Sequence, residues 1–176
     1  MLHAATRLGL LFLIAAVARS QSVSDRNGRI FFTDRQGVRK PITDGKLDSQ
    51  PNLSSDKRQV VFVRQTPGRT AETGVGDTDK TELWIAYVDG SKPPRRVLTG
   101  GNFIEGPNLN IMVAGFGNPQ FSRDATRIYF TAAAWPTQAE ILMLDVTTGD
   151  TRPLFEGLRV EVRGNSTMRS FNWRNA

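Results

Sequence analysis

The chain of 176 residues contains no cysteine and a single histidine, His3. The first absence excludes disulfides, thiolate nucleophiles and a lipidated cysteine. His3 lies in an N-terminal segment expected to be removed, so the mature chain would hold neither imidazole nor thiol. Ser-His-Asp and Cys-His triads and an ordinary His/Cys zinc site are thereby excluded. No Gly-x-Ser-x-Gly elbow, P-loop or Gly-x-Gly-x-x-Gly fingerprint occurs either. Carboxylate or lysine chemistry remains, but no motif points to it, so no enzyme, cofactor or metal is expected. Long apolar runs are scarce too. Residues 8–18 form one of eleven, against the roughly 20 that span a bilayer as helix. Arg7 precedes that run, and Ala16-Val17-Ala18 or Ala18-Arg19-Ser20 offers a cleavage site after residue 18 or 20. Residues 1–20 therefore read as a secretory signal peptide. The expected product is periplasmic or secreted, with no membrane span after cleavage.

The net charge of +6 falls to +4 if both Arg7 and Arg19 are removed, because residues 1–20 carry no acid. The basic residues are scattered: Arg35, Arg39 and Lys40; Lys92, Arg95 and Arg96; Arg159, Arg163, Arg169 and Arg174. Nucleic-acid readers concentrate charge on one face with aromatics interleaved, so no nucleic acid is expected as partner. Solvated strand edges account for the pattern; the alternative is an anionic partner in the cell envelope, such as an acidic protein face or a charged glycan.

Helical periodicity is hard to find after residue 20. The apolar segments are short (30–32, 60–63, 83–88, 128–130 and 141–146), and Gly, Pro, Asn, Asp or Ser bounds each. This is the strand-and-turn pattern of an all-β repeat. Several segments are apolar at consecutive positions, which suits strands covered on both faces. A repeat is written out directly. Pro51-Asn52-Leu53-Ser54-Ser55-Asp56 with Val60-Val61-Phe62-Val63 returns, at an offset of 68, as Pro119-Gln120-Phe121-Ser122-Arg123-Asp124 with Ile128-Tyr129-Phe130-Thr131. Residues 40–45 match 152–157 at an offset of 112. Units of this size stack because one copy cannot bury its own apolar face.

The fullest unit parses into strands at 119–122, 127–131, 140–146 and 151–155, with a turn over 122–125 and a hairpin loop over 147–150 that places Gly149 at positive φ. The unit before it covers 51–99, a partial one covers 29–45, and another begins at 159–162. The expected fold is all-β: four-stranded antiparallel blades, about two and a half of them, over residues 21–162. Residues 163–176 no longer follow the repeat and are expected to form an irregular tail.

The motif Pro-x-[Phe/Leu]-Ser-x-Asp-x-x-x-[Ile/Val]-x-Phe, followed by an Ile/Leu-rich strand and Arg-x-Leu-Thr, resembles the blade repeat (WD40-like, PD40) of TolB-like β-propellers. The same repeat occurs in the propeller domains of prolyl-oligopeptidase-type proteins. Ser55 and Lys57, and Arg123 and Ala125, stand where that family places Pro and Gly around the turn Asp. The α/β domain of TolB and the hydrolase domain of the peptidases have no counterpart in the sequence. By this resemblance the first strand of each blade lines a central channel. Asn52, Ser54, Gln120, Ser122 and Arg123 would then face or border it, either contacting a ligand or satisfying the strand ends. Closed propellers need about four blades or more, so a longer parent, closure by self-association and an open stack all remain open.

Two further segments draw attention. Residues 100–118, with Phe103 and Phe116 among five glycines, read as a long connection that either binds a partner or covers a blade junction. Asp77-Thr78-Asp79 with Glu82 lacks the ligand count and glycine of a calcium loop and reads as a solvated hairpin tip. Asn52-Leu53-Ser54 and Asn165-Ser166-Thr167 match the glycosylation sequon, which matters only in a eukaryotic secretory route. The function expected is an exported, non-enzymatic binding module engaging a protein or envelope component. The alternatives are a carboxylate-type enzyme acting on a glycan or peptide, and a propeller fragment without independent function.

Overall fold

A computed structural model describes residues 19–45, 47–105, 110–136, 139–157 and 159–163, together with the backbone of 167–170. Of the expected signal peptide at 1–20, residues 1–18 lie outside the described residues. Among those described there is no helix, and so none long and apolar enough to cross a membrane. The architecture is a partial propeller of antiparallel sheets.

Blade 1 has three strands in the order β1 (Ser22–Arg26), β2 (Arg29–Thr33) and β3 (Arg39–Pro41). Strand β1, joined to β2 through Asn27 and Gly28 at positive φ, precedes the unit expected from residue 29. Its sequence, Ser-Val-Ser-Asp-Arg, has one apolar residue and gives little strand signal. Blade 2 is β4 (Asp48–Leu53), β5 (Gln59–Thr73), β6 (Gly76–Tyr87) and β7 (Arg95–Thr99). Blade 3 is β9 (Ile111–Phe121), β10 (Arg127–Trp135), β11 (Ala139–Asp145) and β12 (Thr151–Glu156), with β8 (Asn102–Ile104) added along β9. A hairpin of β13 (Val160–Arg163) and β14 (Thr167–Ser170) follows. Within the segment expected to be irregular from 163 onward, 167–170 form a strand, while 164–166 and 171–176 lie outside the described residues.

The consecutive apolar residues split between two junctions. Val60 and Phe62 pack with Ile30, Phe32, Ala86 and Val88 between blades 1 and 2. Val61, Val63, Leu83 and Ile85 face the other way and pack with Val113, Phe116, Phe121, Ile128, Phe130 and Leu144 between blades 2 and 3. Tyr129, Ile141 and Met143 turn to the far side and meet Val160 of β13. A strand side chain alternates faces, so an unbroken apolar run is what a sheet between two neighbours requires. Each fully buried Val, Leu, Ile or Phe contributes about 1.5–3 kcal/mol.

Two segments read as loops are strands. Residues 66–81 extend β5 and β6 into a two-stranded arm whose tip is Gly74-Val75, so Asp77 and Asp79 lie along a strand rather than at the tip. A register shift at 66–69, with Gly68 at φ +71°, bends the arm. It lies across β9, and the Gly74 N–H donates to the Ala134 carbonyl of β10 at 2.7 Å. Residues 102–104 and 111–118 belong to β8 and β9, and their glycines permit that approach. A Cβ on Gly115 would stand 2.5 Å from Thr78 Cγ2, and one on Gly100 2.9 Å from the Thr81 carbonyl. The bulge at Gly115-Phe116 leaves the Phe116 N–H outside the ladder; it donates to Thr81 Oγ1 at 2.6 Å.

At the junction of blades 1 and 2, fully buried Asp48 accepts two bonds from Arg64, at 2.6 and 2.9 Å. That pairing raises the Arg64 pKa, and the guanidinium lies 4.3 Å over the Trp84 ring. Glu82 in turn accepts from Trp84 Nε1 at 2.8 Å and Arg96 at 2.9 Å.

Lys57 and Ala125, again 68 apart, both carry positive φ in the turns (64° and 58°). The turn reading holds, with Ala125 N–H donating to the Ser122 carbonyl at 3.0 Å. Gly149 adopts the expected positive φ. Left-handed backbone strains a residue with a Cβ. Ala125→Gly is therefore expected to stabilise the chain by about 0.5–1 kcal/mol, whereas Gly115→Ala, at φ 56° and against Thr78, destabilises it by roughly 2 kcal/mol or more. Urea unfolding midpoints of the two variants check both signs.

Candidate functional site

The innermost strands, β4 and β9, carry paired side-chain amides. Asn52 Oδ1 accepts the Phe121 N–H at 3.0 Å, and Gln50 Oε1 accepts the Asn118 N–H at 2.6 Å. Their counterparts 68 residues on do the same to the following strand. Gln120 Nε2 donates to the Val160 carbonyl at 2.7 Å while its Oε1 accepts the Val162 N–H at 3.1 Å. Asn118 Nδ2 reaches the same Val160 carbonyl at 2.9 Å. Gln50 and Asn118 both take positive φ, 53° and 48°, in a bulge just before a proline. Proline has no N–H to lose from the ladder there. Asn52 and Gln120 thus bind blade to blade.

Ser54 and Ser122 are fully buried, with their hydroxyls used inside the turns. Each donates to the Asp two residues on, at 2.6 Å, and accepts an N–H, from Gln59 and Arg127 respectively, at 3.0 Å. Phe116 is buried in the core, edge-on to Phe130 with ring centroids 5.2 Å apart. Arg123 and Phe103 are exposed. Of the seven residues singled out from the sequence, these two alone present much of their side chain to solvent, and the structure does not gather the set into one site.

Two concave surfaces were not anticipated. One, of about 490 Å³, lies beneath the β5–β6 arm. Gln50, Gln65, Asp77, Thr78 and Asp79 give it polar walls around Val63 and Phe116, with exposed Val75 at the arm tip. Its polar groups went unread because residues 66–81 look like a loop in sequence, although Gln50 was legible as the 68-residue counterpart of Asn118. The other, of about 620 Å³, is on the outer face of blade 1 and is lined by Arg26, Asn27, Arg29, Phe31 and Arg39. The Arg39 guanidinium stands 4.0 Å over the Phe31 ring. Arg26 and Arg29 flank the β1–β2 turn, and the pairing of β3 with β2 brings Arg39 to them. Among the described residues, no three His, Cys, Asp or Glu side chains gather in a way that would hold a metal ion.

The turn carboxylates titrate low. Hydrogen bonds from the Ser122 hydroxyl, then from the Thr126 N–H and hydroxyl, hold Asp124 down from 3.8 to about 2. Ser54 and the Arg58 N–H lower Asp56 likewise. A carboxyl that protonates less readily when folded contributes stability that is complete above the unfolded value and lost as pH falls through the folded one. Asp124→Asn should therefore lower stability at neutral pH and flatten its decline between about pH 4 and pH 2. Unfolding midpoints measured across that range test the sign; an unchanged acid limb would contradict it.

No protein-family model matches the chain, and no curated protein matches it. Solved structures do. A TolB protein from Agrobacterium tumefaciens superposes with a TM-score of 0.53 at 18% identity, over 78% of this chain and 44% of that one. A puromycin-hydrolysing peptidase of Mycobacterium tuberculosis gives 0.47 at 15% identity, over 78% of this chain and 22% of the peptidase. A puromycin hydrolase gives 0.46 at 19%, over 74% and 18%. The chain thus spans less than half the length of each. The first superposition bears on the fold: with the two blade repeats, it shows that the blades of this chain are arranged like those of that TolB.

Proposed function

We propose that the chain is an exported, non-enzymatic propeller module that binds a protein of the cell envelope. The contact surface is the cleft beneath the β5–β6 arm. The observation that carries this reading is the character of that cleft: amide, hydroxyl and carboxylate groups ring an apolar floor of Val63 and Phe116. An extended polypeptide offers matching chemistry, with backbone N–H and C=O groups for Gln65 and Thr78 and an apolar side chain for the floor. Asp77 and Asp79 favour a segment bearing Lys, Arg or a free amino group. Export rests on residues 1–20, whose charged, apolar and small-residue zones follow the signal-peptide order. The loss of both thiol and imidazole from the mature chain supports binding over chemistry.

Two measurements test the reading. Expressed with its N-terminus intact in a Gram-negative host, the protein should appear in the periplasmic or secreted fraction, shortened at residue 18 or 20. Immobilised, it should retain envelope protein saturably, and Asp77→Ala with Asp79→Ala should weaken that retention about tenfold or more while leaving the unfolding midpoint in place. Equal retention by the doubly substituted chain would remove the cleft from the proposal. Turnover of a glycan or peptide lost in Asp77→Asn would replace binding by catalysis.

A further inference from the structure

Blades 2 and 3 have a full set of strands, but among the described residues blade 1 lacks the innermost one. Strand β1 lies against β4 as β5 lies against β9, which places it second from the axis. Its inner edge pairs with no strand among the described residues. At the other end of the chain stands the complementary surplus. Gln120 and Asn118 hold β13 through Val160 and Val162 much as Gln50 and Asn52 hold β9. Strand β13 is therefore the innermost strand of a further blade, and apart from β14 no strand of that blade is among the described residues.

The outer sheet faces are complementary as well. On blade 3, Phe103, Met112 and Trp135 lie in register across β8, β9 and β10. Phe103 and Trp135 are 63% and 47% exposed, so β13 and β14 leave this aromatic strip open. The outer face of blade 1 presents Arg26, Arg29 and Arg39 around Phe31. Planar guanidinium groups stack on aromatic rings, and burial of both strengthens the contact.

The geometry points to a second copy of this chain as the occupant of both surfaces. Each copy supplies β13 to the free edge of β1 in the other, where it completes blade 1 as a four-stranded sheet. The aromatic face of blade 3 then meets the arginine face of blade 1, twice, around a two-fold axis. Two copies give six sheets, within the roughly four to eight blades over which propellers close. Strand β1 of one copy takes the position along β13 that β14 holds in the single chain, so β14 is displaced on assembly. This inference is independent of the cleft, which opens on the arm side of blades 2 and 3.

The test exploits the absence of cysteine from the natural sequence. Light scattering on the unsubstituted chain should give twice the chain mass. Chains carrying Ser24→Cys, on β1, are then mixed with chains carrying Glu161→Cys or Val162→Cys, on β13, and oxidised; the two β13 positions cover both faces of that strand. A disulfide-linked pair formed with at least one of them, and absent when any one variant is oxidised alone, is the expected result. A monomeric mass overturns the proposal and assigns the edge of β1 to some other segment. A dimer that cross-links at neither position overturns the strand exchange.

Discussion

The sheets of blades 2 and 3 carry buried apolar side chains on both faces, and that constraint governs the rest. Val60 and Phe62 point one way along β5 while Val61 and Val63 point the other, all essentially buried. Such a sheet is insoluble alone and must stand between two others. The same holds for β10, where Ile128 and Phe130 face blade 2 and Tyr129 faces β13. Stacking is thus dictated strand by strand, and the open question for any such chain is what covers its first and last faces.

Apolar contact sets that blades stack but says little about their register. Register comes from polar groups that must find specific partners once they leave water. The amides of Gln50, Asn52, Asn118 and Gln120 reach from one innermost strand to backbone groups of the next, and a slip by one residue would strand them. Bulges before Pro51 and Pro119 aim these side chains along the stacking direction instead of into a face. The Asp48–Arg64 pair pins β4 to β5 in the same manner, with Arg64 capped by Trp84.

Much of this is legible in sequence. The 68-residue offset predicts the two full blades and their turns. The unbroken apolar runs predict two-sided burial. Asn52 and Gln120 stand out by the same offset; the family resemblance leaves them either contacting a ligand or satisfying strand ends, and in the fold their amides bond to backbone groups of the next innermost strand. A polar residue on a repeat looks identical whether it faces a ligand or the next blade, because both need a donor and an acceptor. Strand β1 was invisible because Ser22-Val23-Ser24-Asp25-Arg26 has a single apolar residue, and its pairing partner β2 carries the signal for both.

The arm is the instructive failure. Glycine-rich sequence within it, at 68–76, and in the segment it packs against, at 100–117, reads as loop because glycine lowers strand propensity. In the folded chain Gly68 and Gly76 supply positive φ in the arm, while Gly100, Gly101 and Gly115 serve close approach. Gly100 and Gly115 let the arm lie on β9, and Gly101 makes room for the Lys80 stem. The Thr81 hydroxyl then satisfies the amide that the Phe116 bulge releases. The cleft exists only because of that contact, since its two walls belong to the arm and to the innermost strands. Binding surface and blade packing are therefore one feature: a side chain added at Gly115 would disturb the junction of blades 2 and 3 and the mouth of the cleft together.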